Sequence, residues 1–271
     1  MNKIEYLLER KVKIKLDGGA LRIIATASML IDHIALMLIG NGILYGYRPD
    51  IHEVALSTPV GKKWYILYVI MRSIGRLAFP MFCFLLVEGF IHTKNLFKYF
   101  FRLVVLAIIS EIPFNLVCGN SLLYFERQNT IFTFVLSLFM LYIVKKVDAI
   151  RDERIQNVIK IIIVAIVCWV SYALHLDYSI SGIILIFCIY FFRHDKNLRM
   201  ASVFIISFLI SFVEPFTSFR YFGVGALSAL ILFLYNDKVG YLYRYRWMYY
   251  LLYPLHLIIL YGVVFFTYIK I

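Results

Sequence analysis

The sequence predicts an all-α, polytopic transmembrane helix bundle, and three observations lead there. Of its 271 residues, 62% are apolar and 16% are charged, against roughly half and a quarter in soluble domains. The apolar residues collect into runs long enough to cross ~30 Å of hydrocarbon as helices. Lysine and arginine concentrate in alternate loops, as they do where a chain threads a membrane repeatedly. A surplus this large, with a mean hydropathy of +0.82, cannot be buried in one globular core. Disordered tails, disulfide scaffolds and ordinary soluble enzymes are excluded.

Residues 1–20 are expected to form a basic interfacial segment that ends at Gly18-Gly19, too charged to be a signal peptide. Residues 21–271 then form a single transmembrane domain of about nine spans: 21–40, 65–91, 98–118, 131–147, 158–175, 178–193, 200–214, 221–236 and 249–269. The sixth and seventh are short and can form one re-entrant pair, which lowers the count to eight. With the N-terminus cytoplasmic, nineteen Lys and Arg residues fall in inner segments and six in outer ones. The net charge of +12 is thereby explained by topology, and no nucleic-acid partner is expected. No internal repeat is visible, unlike the halves of many transporters. The outer loop 41–64, with His52, is placed over the outer face. Cys83, Cys118, Cys168 and Cys188 form no CxxC or Cys/His pattern and read as buried thiols, and no metal-ligand spacing is present.

Charged side chains are costly in mid-bilayer, so those inside spans are candidates for function. They are Asp32 and His33 in span 1, Arg72, Arg76 and Glu88 in span 2, Arg102 and Glu111 in span 3, and His256 in span 9. Spans 4–8 are expected to form a largely apolar buttress. If spans 2 and 3 form a hairpin turning near His92–Leu96, reflection about the turn pairs Glu88 with Arg102 and Arg76 with Glu111. Pairing at matched depth is what buried charges require. Pro80 and Pro113 are expected kinks. A neutral imidazole at mid-membrane beside a carboxylate can serve as a general base, which makes His33 with Asp32 the leading catalytic pair and His256 the next candidate. Ion pairs that merely lock helices together remain the alternative for every one of these groups.

Several of these residues lie in longer motifs. Leu21-Arg22-Ile23-Ile24-Ala25 through Ser28-Met29-Leu30-Ile31-Asp32-His33 resembles the opening of the TraX family, membrane proteins linked to N-acetylation of conjugative pilin. The likeness continues through Ile74-Gly75-Arg76-Leu77-Ala78-Phe79-Pro80-Met81-Phe82, Leu86-Val87-Glu88-Gly89-Phe90, His92-Thr93 and Arg102-Leu103. It closes with Ser110-Glu111-Ile112-Pro113-Phe114, Gln128-Asn129, Phe132-Thr133 and Tyr253-Pro254-Leu255-His256. The resemblance implies a multi-pass acyltransferase of the bacterial cytoplasmic membrane. Such an enzyme moves an acetyl group from cytosolic acetyl-CoA to an amine or hydroxyl of an extracytoplasmic protein, glycan or lipid.

On that reading His33, supported by Asp32, takes the acceptor proton. Arg76 and Arg72, with Glu111 and His256, form the oxyanion or acceptor site. Glu88, His92, Lys94, Lys98, Arg102, Arg244 and Arg246 form the inner, donor-binding end. The main rival is a proton-coupled transporter or lipid flippase for an anionic substrate, and a non-catalytic scaffold is the third class. A cavity open to both faces and holding His33 favours acyl transfer. Pseudo-symmetric halves with broken helices favour transport.

Overall fold

A computed structural model describes residues 15–213, 223–238, 240 and 246–269. Among them the fold is all-helical, with isolated backbone bridges at Leu16–Tyr235 and Gln128–Leu176 in place of any strand. Helix α1 spans Gly18–Ile34 and continues as a wider π-helical stretch, Ala35–Ile43. Gly18-Gly19 opens this helix, and residues 1–14 of the expected interfacial segment lie outside the described residues. The Asp17 carboxylate accepts from the Ala20 amide at 2.8 Å, capping orphan donors of the first turn. The short α2, Pro49–Ser57, is largely exposed and leads into α3, Pro59–Gly75.

Helix α4, Ala78–His92, follows α3 after a break at Arg76–Leu77. Pro80 explains the break: it has no N–H for the carbonyl four residues back, that of Arg76, and its ring crowds that oxygen. Next come α5 (Leu96–Gly119), α6 (Thr130–Val147), α7 (Glu153–Ala173), α8 (Ser179–Phe191) and α9 (Lys196–Val213). A 3₁₀ turn at Val224–Leu227 leads into the short α10, Ser228–Phe233, and α11 runs Arg246–Val264 into a π turn. Pro113 lies inside α5 and Pro254 inside α11.

Among the described residues, six helical stretches are long and apolar enough to cross a membrane: Gly18–Ile43, Pro59–His92, Leu96–Gly119, Thr130–Val147, Glu153–Ala173 and Trp247–Ile269. The expected sixth span condenses into the thirteen residues of α8, about 20 Å at helical rise and short of the hydrocarbon thickness. The expected eighth begins outside the described residues, and its described part is the 3₁₀ turn and α10.

Helix α4 is the centre of the bundle. Met81, Cys83, Phe84 and Val87 are fully buried, as expected for a helix apolar on every side. It packs against α1 and α8, while α5 packs against α6 and α11. Helix α7 is peripheral and turns Val158, Ile161, Ile162, Ile166 and Trp169 outward, the surface a lipid-facing helix presents. Consecutive helices α4 and α5 diverge instead of closing as a hairpin, and the space between them belongs to the site.

Candidate functional site

The site begins where α1 crosses the end of α3. Arg72 and Arg76, one turn apart on one face of the chain, both reach Asp32. Arg76 Nη2 donates to Asp32 Oδ1 at 2.7 Å, and Arg72 Nη1 donates to Oδ2. Gly75 permits this contact, because a Cβ there would collide with the Asp32 carboxylate. Arg76 also donates to the Tyr178 hydroxyl at 3.4 Å. Asp32 and Arg72 are each 7% exposed. One carboxylate between two guanidiniums leaves the group with an excess positive charge.

The expected Arg76–Glu111 pair is therefore not formed. Glu111 instead accepts from Asn129 through its side chain at 2.5 Å and its backbone amide at 3.2 Å. The expected Glu88–Arg102 pair is absent as well. Glu88 binds Arg199 at 3.0 Å, the Tyr235 hydroxyl at 3.2 Å and His92 at 3.5 Å. Arg199 also lies over the Phe84 ring and approaches Asp237 at 3.7 Å. Both corrections have one cause. Reflection about the turn gives depth, but the diverging helices present these groups to other neighbours. Arg199, counted in the sequence as an inner-loop cation, lies on α9, is only 6% exposed and is a buried partner of the α4 carboxylate.

Beside Asp32, His33 reaches across to α11. Its Nδ1 lies 2.6 Å from His256 Nε2, and His256 Nδ1 lies 2.7 Å from the Leu252 carbonyl oxygen. The two rings are within 19° of coplanar with centroids 4.9 Å apart. That separation is the nitrogen contact plus two ring radii, so the imidazoles meet edge to edge in nearly one plane. Tyr253 sets its ring edgewise against both.

A cavity of about 280 Å³ runs past this group. Along α5 its wall extends from Tyr99 to Cys118, about 28 Å at helical rise and nearly a bilayer core. One end holds Arg22, Thr93, Tyr99 and Arg102, the middle holds Asp32, His33, Arg72 and Arg76, and the far end holds Arg127, Thr130 and Asp177. At that far end Arg127 meets Asp177 at 3.3 Å, and Thr130 donates to the same carboxylate. The Gln128–Leu176 bridge ties the two loops together, through Gln128 N to the His175 oxygen at 2.9 Å and Asp177 N to the Gln128 oxygen at 3.1 Å. Five arginines face two aspartates across the lining, an excess of three positive charges with His33 neutral. Elsewhere the walls are apolar, with Phe82, Leu86, Leu103, Leu106 and Phe134 among them. The arrangement is suited to an elongated anion with an apolar or amphipathic arm.

Of the residues expected at the site, Asp32, His33, Arg72, Arg76 and Arg102 line the cavity, and His256 stands directly behind His33. Lys94 and Lys98 are exposed on the turn before α5 and in its first turn, outside the lining. Glu88, His92 and Glu111 belong to the neighbouring clusters just described. Arg244 and the side chain of Arg246 lie outside the described residues. Sequence reasoning missed Arg22, Arg127, Asp177 and Tyr178. Arg22 and Arg127 had been assigned to loop charge, although Arg127 immediately precedes the Gln128-Asn129 motif. Asp177 and Tyr178 carried no signal.

The model of the family described as TraX protein matches residues 17–264. The probable fimbrial assembly protein FimC, serogroup H1, of Dichelobacter nodosus is 26% identical over 256 residues, covering 89% of this chain and 92% of that protein. No solved structure matches.

Proposed function

This chain belongs to the TraX family, and from that premise we propose that it is a membrane-embedded acetyltransferase that uses acetyl-CoA to modify an extracytoplasmic amine or hydroxyl. The observation that carries the reading is the cavity itself: it runs nearly the depth of a bilayer, has an excess of three positive charges, and passes a histidine at its middle. The Arg22–Arg102 end is taken as cytoplasmic, consistent with the Lys and Arg bias, in the cytoplasmic membrane of a bacterium. There, two guanidiniums and Tyr99 suit the phosphates of the donor, while the apolar walls beyond them suit an arm carrying the thioester inward. The fimbrial-assembly name of the relative supports a pilin-like protein as the acceptor, arriving from the Arg127–Asp177 end.

In the transfer step the acceptor's lone pair attacks the thioester carbon, and its proton passes to His33 Nε2. The carbonyl π pair moves onto oxygen, where the net positive Asp32–Arg72–Arg76 group stabilises it. Donors to such an oxyanion are worth about 2.7–4 kcal/mol each when the site is preorganised. Collapse re-forms the carbonyl and expels the thiolate, which takes the proton back from His33.

The same positive lining favours one rival, passage of an intact anion through the cavity. Purified protein in liposomes, given acetyl-labelled acetyl-CoA on one face and envelope extract on the other, separates the two. Acyl transfer predicts release of free thiol with label in an envelope component. Label crossing without thiol release supports transport, and absence of acetyl-CoA binding overturns the proposal.

A further inference from the structure

We infer that His256 is a positioning residue, which fixes the tautomer of His33 so that its Nε2 presents a lone pair to the cavity. The inference rests on the acetyl-transfer reading only for the use made of that lone pair. The chain of reasoning starts at the Leu252 carbonyl. A carbonyl oxygen can only accept, so His256 Nδ1, 2.7 Å away, must carry a hydrogen. In a neutral ring that leaves His256 Nε2 as an acceptor. His33 Nδ1, 2.6 Å from it, must then be the donor. A neutral His33 with its hydrogen on Nδ1 has none on Nε2. Among the described residues no hydrogen bond engages that Nε2, and the ring lines the cavity.

The near-coplanar, edge-to-edge meeting of the rings is the geometry an N–H···N bond needs. It is also what a purely packed pair of imidazoles would not require. In water a neutral histidine carries its hydrogen mainly on Nε2, which at this site would point a donor into the cavity and leave no base. Serine-protease triads solve the same problem with a carboxylate on Nδ1. Here Asp32 is held between Arg72 and Arg76, and a second histidine, itself oriented by a helix carbonyl, takes that place.

The test is ¹⁵N NMR of full-length protein labelled at its six histidines, with His33 and His256 assigned by the signals lost in His33→Gln and His256→Gln. The expected spectrum has both rings neutral with hydrogen on Nδ1. In His256→Leu, which cannot accept, the His33 signal should move toward the Nε2–H form and kcat should fall roughly 10²-fold or more. His256→Gln offers an amide oxygen to His33 and an amide N–H to Leu252, so it should retain the wild-type tautomer and lose less than about tenfold. Acetyl-CoA binding should be unchanged in both. Wild-type His33 with hydrogen on Nε2, a charged ring in the pair, or an unchanged His33 signal in His256→Leu overturns the inference. The wild-type spectrum alone decides the tautomer if the leucine variant does not fold. It also decides it if no acetyl transfer is found, an outcome that defeats only the acetyl-transfer reading.

Discussion

Gly75→Ala adds a single methyl group at the point where α1 and α3 cross. The new carbon falls on the Cβ, Cγ and Oδ1 of Asp32, closer than real side chains approach. Two responses are available. The helices can part, an overpacking cost of about 1–3 kcal/mol. Alternatively Asp32 can swing away from Arg72 and Arg76, leaving buried charges without their partner, for which the loss is about 3–5 kcal/mol. The expected destabilisation is therefore about 1–5 kcal/mol, or roughly 2–20 °C in thermal midpoint for a chain of this size. Melting in detergent, followed by intrinsic fluorescence, measures it. The mechanism also fixes the sign of a coupling. Once Asp32→Gly has removed the Cβ together with the carboxylate, the methyl group has room, so Asp32→Gly/Gly75→Ala should melt close to Asp32→Gly alone. Additive losses in that double variant, or a midpoint within a degree of wild type in Gly75→Ala, would refute the close crossing.

Glu88→Leu and Arg199→Leu should each destabilise by about 3–5 kcal/mol, and the double variant should recover part of that loss in the same melts, because a lone buried charge is costlier than none. His33→Ala should lower kcat roughly 10²–10⁴-fold while leaving acetyl-CoA binding intact, as read by single-turnover assay and equilibrium binding. Arg102→Gln should raise the acetyl-CoA KM several-fold, whereas Lys94→Gln and Lys98→Gln, whose side chains lie outside the cavity lining, should stay close to wild type. Equal KM increases in all three would mean that the phosphates bind at the loop rather than at the cavity mouth.

Composition and hydropathy made the membrane class and most of the helices legible. The cost of mid-bilayer charge picked out Asp32, His33, Arg72 and Arg76, which the fold does bring together. The partners were another matter. Helical rise converts residue number into depth, but nothing in one sequence gives the rotation of a helix or the identity of its neighbour. Glu88 thus had a plausible partner fourteen residues away in Arg102, whereas its actual partner is 111 residues away in Arg199. Arg199 and Arg22 were hidden for a second reason. A cation near a helix end satisfies the inside-positive pattern whether it faces water, a buried carboxylate or a cavity, and hydropathy does not distinguish these cases. Glu111 was misread by the same geometry: its side chain turns to Asn129.

The failed pairings and the cavity have a common origin. Had Glu88 paired with Arg102, and Glu111 with Arg76, α4 and α5 would have been drawn together at two levels, and the space between them would have closed. Instead each carboxylate is satisfied from a side that leaves this space open. Arg199 and Tyr235 hold Glu88 from α9 and the segment after α10, and Asn129 holds Glu111 from the turn before α6. Asp32, on α1, takes up Arg72 and Arg76. Arg102 is left on the cavity wall, where a cation beside apolar surface can meet an anionic ligand. Closing the gap should therefore remove function without unfolding the protein. Gly89→Trp would place an indole at the Arg22–Arg102 end of the cavity, where a Cβ on Gly89 already meets the tip of the Tyr99 ring. That variant should lose acetyl-CoA binding while keeping its helical circular dichroism. Unchanged binding in the folded variant would place the donor path elsewhere.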